Sequence, residues 1–255
     1  MTRSLRVGIV GGCLAAPMET ATRSDLYHQV AARRMADTGI RLRVSLRAID
    51  DRSLATTCES LAFLAGRRGC DVLAVQIRPT LLRLTVQAVW RELDSRTRLR
   101  PSPFYRRRLD AFVPPPSSVP LVRFPGLNRF LAEVTGLRHS LSAQLLGHLE
   151  TIARFARDDL GRPLVFIGPV QNATLPPPQG TWWESRLAGL AREHGVAYVA
   201  LADLDLASRP ECFEADRFHV SPAGHTIIGE RFAAAVSAAL AAPAAPLPPA
   251  SPTPG

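Results

Sequence analysis

Five short strand-like runs, each followed by a segment of helical spacing, constrain this chain more than any other feature of it. Residues 7–10 form the first run, closed by Gly11 and Gly12, and residues 41–48, 71–77, 163–167 and 196–201 supply the others. The first run, short, apolar and bounded by turn residues, fits a strand buried on both faces, whereas residues 41–48 alternate Leu42, Val44, Leu46 and Ala48 with polar residues, as a second strand does. Between them the apolar positions recur every three or four residues. Leu54, Cys58, Leu61 and Ala65 follow a cap at Ser53; Leu145, Leu149, Ile152 and Ala156 mark a second face; Trp183, Leu187, Leu190 and His194 mark a third, closed by Gly195. The first helix is expected to be capped by Ser24 or Asp25 and to end at Gly39. The last has Ser221 at its cap, Pro222 at its first position, and Ile228, Phe232, Ala235 and Ala239 along one face. Strand and helix alternating five times predict an α/β fold: a parallel sheet of about five strands in a flavodoxin-like order, helices on both faces.

The 255 residues suffice for one large core, and 46% hydrophobic content excludes a disordered chain. One domain over residues 1–240 is expected. Residues 80–128 are proline-rich and irregular, read as an insertion over the site, and residues 241–255 are an Ala/Pro tail expected to be disordered. The apolar start is too short for a signal peptide and no run is long enough to span a bilayer, so a cytoplasmic protein with no membrane partner is expected. The net charge of +9 comes wholly from arginine, since the chain has no lysine. Such a balance attracts acidic partners, among them an acyl carrier protein or coenzyme A. The cluster Arg106 to Arg108 beside Phe104 and Tyr105 reads as a solvated face, and with no nucleic-acid motif present, nucleic acid is not an expected partner. Neither the four separated cysteines nor the six histidines fall at ligand spacings, so neither a metal nor another cofactor is expected.

In a sheet of this kind ligands bind beyond the carboxyl ends of the strands, where the strand order reverses. The first strand ends in Gly11-Gly12-Cys13, the third in Gln76-Ile77-Arg78-Pro79, and the fourth in Gly168-Pro169-Val170-Gln171-Asn172; the loop after the fifth contains Asp216-Arg217-Phe218-His219. A thiol, an arginine, amides and an Asp/His pair are thus expected on one rim.

The block from Asp216 to His225, Asp-x-x-His followed by Val-Ser-Pro-Ala-Gly-His, resembles the last conserved block of the SGNH/GDSL hydrolases. The opening from Val7 to Leu14 is similar to that family's first block, in which a strand ends in Gly-Asp-Ser-Leu and the serine attacks the substrate. The resemblance implies a three-layer SGNH hydrolase fold over residues 5–240 and an acyl-transfer enzyme: an esterase, a thioesterase or an acyltransferase acting on a small-molecule ester or thioester. Three departures accompany it. Gly12 and Cys13 stand where the family has Asp and Ser, the second-block glycine has no counterpart near Ile49 to Ser53, and Arg78-Pro79-Thr80 replaces Gly-x-Asn-Asp.

A cysteine at the nucleophile position suits the chemistry, because a thiolate is the stronger nucleophile near neutral pH and an imidazole and a helix start both favour it. The expected catalytic set is Cys13 as nucleophile, His219 as its base and Asp216 orienting His219, with an acyl-Cys13 intermediate. Arg78, the backbone N–H of Cys13 or Leu14, and Asn172 are candidates for the oxyanion or for substrate. Cys58, Cys70, Cys212 and His225 read as spectators, and Gln171 and Asn128 as turn residues. The competing reading is a catalytically silent SGNH-like domain that binds a small molecule or a protein.

Overall fold

A computed structural model describes residues 3–15, 22–48, 54–78, 137–172, 175 and 179–242. The expected insertion at 80–128, the cap at Ser53, Asn128, the Arg106 cluster and the tail beyond 242 lie outside the described residues. The strands are β1 (Arg3–Gly11), β2 (Ile40–Ala48), β3 (Val72–Gln76), β4 (Leu164–Ile167) and β5 (Ala197–Val199). The helices among the described residues are α1 (Tyr27–Asp37), α2 (Leu54–Gly66), α3 (Leu137–Arg154), α4 (Gln179–Glu193) and α5 (Pro222–Ala241). By its contacts the chain divides into two compact units, residues 1–82 with 146–255, and residues 83–145; the sheet belongs to the first.

All four strand pairings are parallel and the order is β2-β1-β3-β4-β5. This is the flavodoxin-like order, with its reversal between β1 and β3. Alternation along the strands sorts side chains between two faces. Leu5, Val7 and Ile9 of β1 join Val72, Ala74, Val165 and Ile167 in one core, which Tyr27, Ala31 and Met35 of α1 and Ile228, Phe232 and Val236 of α5 cover. Each of the Val, Leu, Ile, Phe and Met side chains among them contributes about 1.5–3 kcal/mol on full burial. Leu61 and Leu64 of α2 are buried too, and a Cβ at Gly8 would stand 2.9 Å from Leu64 Cβ, which puts α2 on the other face.

The helix ends follow the expected punctuation with one difference. Gly39 and Gly195 take positive φ (78° and 64°) just past α1 and α4. Ser221 caps α5, its Oγ accepting the Gly224 N–H at 3.4 Å while donating to the Glu211 carbonyl at 2.6 Å. Ser24 and Asp25, however, do not cap α1. They lie within a 3-10 turn, Arg23–Asp25, because the Asp25 carboxylate folds back onto the Thr22 N–H (2.8 Å) and hydroxyl (2.6 Å); α1 then starts at Tyr27.

Candidate active site

The rim at the order reversal is built from two strand ends. β1 runs into Gly12 and a 3-10 turn, Cys13–Ala15, closed by the Ala15 N–H donating to the Gly12 carbonyl at 3.0 Å. β3 ends in Gln76, a polar residue in an otherwise apolar strand, and its buried Oε1 accepts the Gly12 N–H at 3.0 Å. This bond satisfies a backbone donor that the sheet no longer pairs, and it ties the turn before Cys13 to the neighbouring strand. The sequence places Gln76 at the end of the third strand without giving it a role; an amide closing an otherwise apolar strand is the signal that marks it.

Arg78 lies across the same turn. A Cβ at Gly12 would stand 2.6 Å from Arg78 Cδ and 2.8 Å from Nη1, so the guanidinium occupies the space into which a side chain at position 12 would project. The Cys13 side chain lies outside the described part of the structure. The Leu14 side chain is buried in the core.

The second part of the rim is the loop between β5 and α5. An antiparallel bridge between Phe213 and Val220 pinches its ends together. The Glu214 N–H donates to the His219 carbonyl at 2.8 Å, and the Arg217 N–H to the Glu214 carbonyl at 2.9 Å. Arg217 sits in the left-handed region at φ 59°, a strained conformation for a residue with a Cβ. That turn lets Asp216 Oδ1 accept the N–H groups of Phe218 (2.8 Å) and His219 (2.9 Å), while Oδ2 meets His219 Nδ1 at 2.5 Å. Partial burial is the largest influence on the Asp216 carboxyl and pushes its pKa up. The N–H bonds and the imidazole together outweigh it and leave the group below the usual carboxylate range. A carboxylate at Nδ1 places the imidazole proton there and leaves Nε2 as the basic nitrogen.

Asn172 Nδ2 donates to the Phe218 carbonyl at 2.9 Å, so this buried amide supports the loop that carries His219. The structure thus brings Asp216 and His219 together, places Asn172 against their loop, and sets Arg78 against the turn of Cys13. Of the expected spectators, Cys70 and Cys212 are buried and Cys58 is half-buried; burial pushes all three thiols up. His225 is buried on the first turn of α5. Among the described residues no group of three or more His, Cys, Asp or Glu side chains is placed to hold a metal ion, and no helix is long and apolar enough to cross a membrane.

No family model and no curated protein matches the sequence. Solved structures do match the fold. TesA superposes with a TM-score of 0.58 at 15% identity, over 92% of this chain and 99% of that one. The esterase EstA from Pseudoalteromonas sp. gives 0.55 at 8% identity, over 92% and 98%. A protein from Slackia heliotrinireducens assigned as an SGNH hydrolase gives 0.52 at 14% identity, over 92% and 100%. The class is therefore an α/β protein with the SGNH hydrolase fold, in agreement with the resemblance of its first and last sequence blocks.

Proposed function

We propose that the chain is an ester or thioester hydrolase, or an acyltransferase, working through Cys13, His219 and Asp216. The observation that carries this reading is the 2.5 Å pairing of His219 Nδ1 with Asp216, held by two further N–H bonds at the carboxyl edge of the sheet. In the proposed reaction His219 Nε2 takes the Cys13 thiol proton and the sulfur attacks the acyl carbon. The carbonyl π electrons move to oxygen, and they return as the bond to the leaving oxygen or sulfur breaks. The imidazolium gives its proton to that leaving group. Water, or a second acceptor, then attacks the acyl-Cys13 thioester with His219 again as base, and the free thiol is restored. Arg78 and the backbone N–H of Cys13 or Leu14 are the proposed oxyanion donors, and Asn172 keeps the His219 loop in place. An acyl group carried on an acidic carrier protein or on coenzyme A suits the arginine-rich chain.

One observation favours the silent-domain reading instead: the Arg78 side chain lies in the space that a side chain at position 12, where the family has its first-block Asp, would enter. Turnover of chromogenic esters and thioesters decides between the two. The catalytic reading expects activity that Cys13→Ala and His219→Ala each reduce by about a hundredfold or more. Activity that survives both substitutions, or none in the parent with any such substrate, overturns it.

A further inference from the structure

Five arginines gather along one edge of the sheet, on the side covered by α2. The β1–β2 register pairs Arg6 with Arg43, Ser4 with Arg41 and Val10 with Arg47, and partners in a parallel ladder project from the same face. That face is the one α2 covers: it holds Gly8, whose Cβ would meet Leu64, and the Arg47 guanidinium lies 4.2 Å over the Phe63 ring of α2. The guanidinium of Arg68, just past α2, lies 5.7 Å from the centroid of the same Phe63 ring, and the Arg68 carbonyl accepts Arg6 Nη1 at 3.3 Å. All five side chains are exposed, and among the described residues none forms an ion pair. The carboxylate beside them, Asp71, accepts the Arg6 backbone N–H at 2.8 Å. β2 is the edge strand, so no strand among the described residues lies beyond this row.

We infer that this arginine face docks an acidic helix of a protein partner. Along β2 the spacing from Arg41 to Arg43 is about 6.6 Å and from Arg41 to Arg47 about 20 Å. Carboxylates at i and i+4 on a helix repeat at about 6 Å, so a helix of about 14 residues laid along the strand meets the row in register. Five like charges held together repel one another, and a complementary surface relieves that repulsion. Single-stranded nucleic acid fits less well. Its bases need open aromatic rings, and Phe63 is already faced by two guanidiniums. The row also ends near the site: Arg47 pairs with Val10, three residues before Cys13. Only the identity of the docked protein as the acyl carrier rests on the function proposed above; the docking itself does not.

The test is fluorescence anisotropy of a labelled helical peptide of about 20 residues, Glu at i and i+4 on one face, titrated with the full chain. The expectation is micromolar binding at low salt that weakens about tenfold or more at about 0.3 M salt, as an exposed charge interface requires. Arg41→Ser/Arg43→Ser/Arg68→Ser should weaken it about tenfold further at low salt, with the far-UV dichroism and the hydrolysis of a small free ester unchanged. His219→Ala should bind as the parent does. If the triple variant does not fold, Arg41→Gln and Arg43→Gln singly take its place, each with an expected loss of about two- to threefold. Absence of binding at low salt, binding untouched by the substitutions, or tighter binding of an oligo-dT of equal charge overturns the inference. Absence of esterase activity with binding intact would instead overturn the proposed function alone.

Discussion

Gly12 and Arg78 compete for one space, and the outcome governs what surrounds Cys13. A side chain at position 12 would collide with Arg78 Cδ and Nη1, which belong to a flexible side chain, so the arginine must swing off the turn. Gly12→Ala should therefore cost about 1–2 kcal/mol, and most of that cost should vanish when Arg78→Ala is already present, a coupling that a double-mutant cycle in urea measures. Purely additive losses would show that the two residues do not touch. Thiol reactivity belongs at the same scale. Cys58, Cys70 and Cys212 are held protonated by burial, whereas a thiol paired with an imidazole is ionised. Brief alkylation with iodoacetamide followed by peptide mapping should label Cys13 first. His219→Ala should slow that labelling selectively and Asp216→Asn should slow it less. Equal labelling of all four cysteines would remove the nucleophile assignment.

Between α1 and α5 lies a seam that links stability to pH. Tyr27 is fully buried, its ring stacked 6.4 Å from His225 and edge-on to His28 and Phe232, each at 5.4 Å. The helices approach closely because residue 229 is Gly: a Cβ there would stand 2.5 Å from Val30 Cβ. Burial lowers the pKa of both histidines to about 4; at His225 the charge of His28 lowers it further and Asp25 in the preceding turn opposes this. An unfolded histidine titrates near 6.5, so between pH 6.5 and 4 the unfolded chain binds protons that the folded chain does not, and stability falls as the pH falls. Above 6.5 the pair adds no slope, and below 4 the loss is complete. The loss is on the order of 2 kcal/mol for each ring, allowing for water contact. Asp25, held down chiefly by the Thr22 hydroxyl, and Asp216 lie below the ordinary carboxylate range, so their contributions disappear at lower pH. Urea denaturation at pH 7 and pH 4.5 should show this slope, and His28→Gln/His225→Gln should flatten it. An unchanged slope would place the acid-sensitive groups elsewhere. Since α5 starts three residues after His219, loosening this seam also loosens the candidate site.

At the scale of the whole molecule, the parallel sheet and the helices of both faces account for the described core, and α5 ends at Ala241. The Ala/Pro sequence of residues 244–255 has too few apolar side chains to offset the entropy of ordering it. Deleting those residues should shift the Tm by less than about 1 °C, whereas a drop of several degrees would show that the tail packs on the domain.

Hydrophobic period and turn punctuation were enough to place all five strands and to predict their parallel order, because buried strands read as short apolar runs and the half-exposed β2 reads as an alternation of apolar and polar residues. The Asp216 and His219 pairing was equally legible, since three residues of separation and a following cap are local facts. Other features depended on distant segments meeting. β1 extends to Arg3 because β2 begins opposite it at Ile40, although its first residues are polar and exposed. Gln76 reaches Gly12 across 64 residues, Asn172 reaches Phe218 across 46, and Arg78 takes the space at position 12. Only the tertiary structure decides these, because a polar side chain at a strand end is free to bond any neighbour the fold supplies, and the chain's local pattern does not say which neighbour that is.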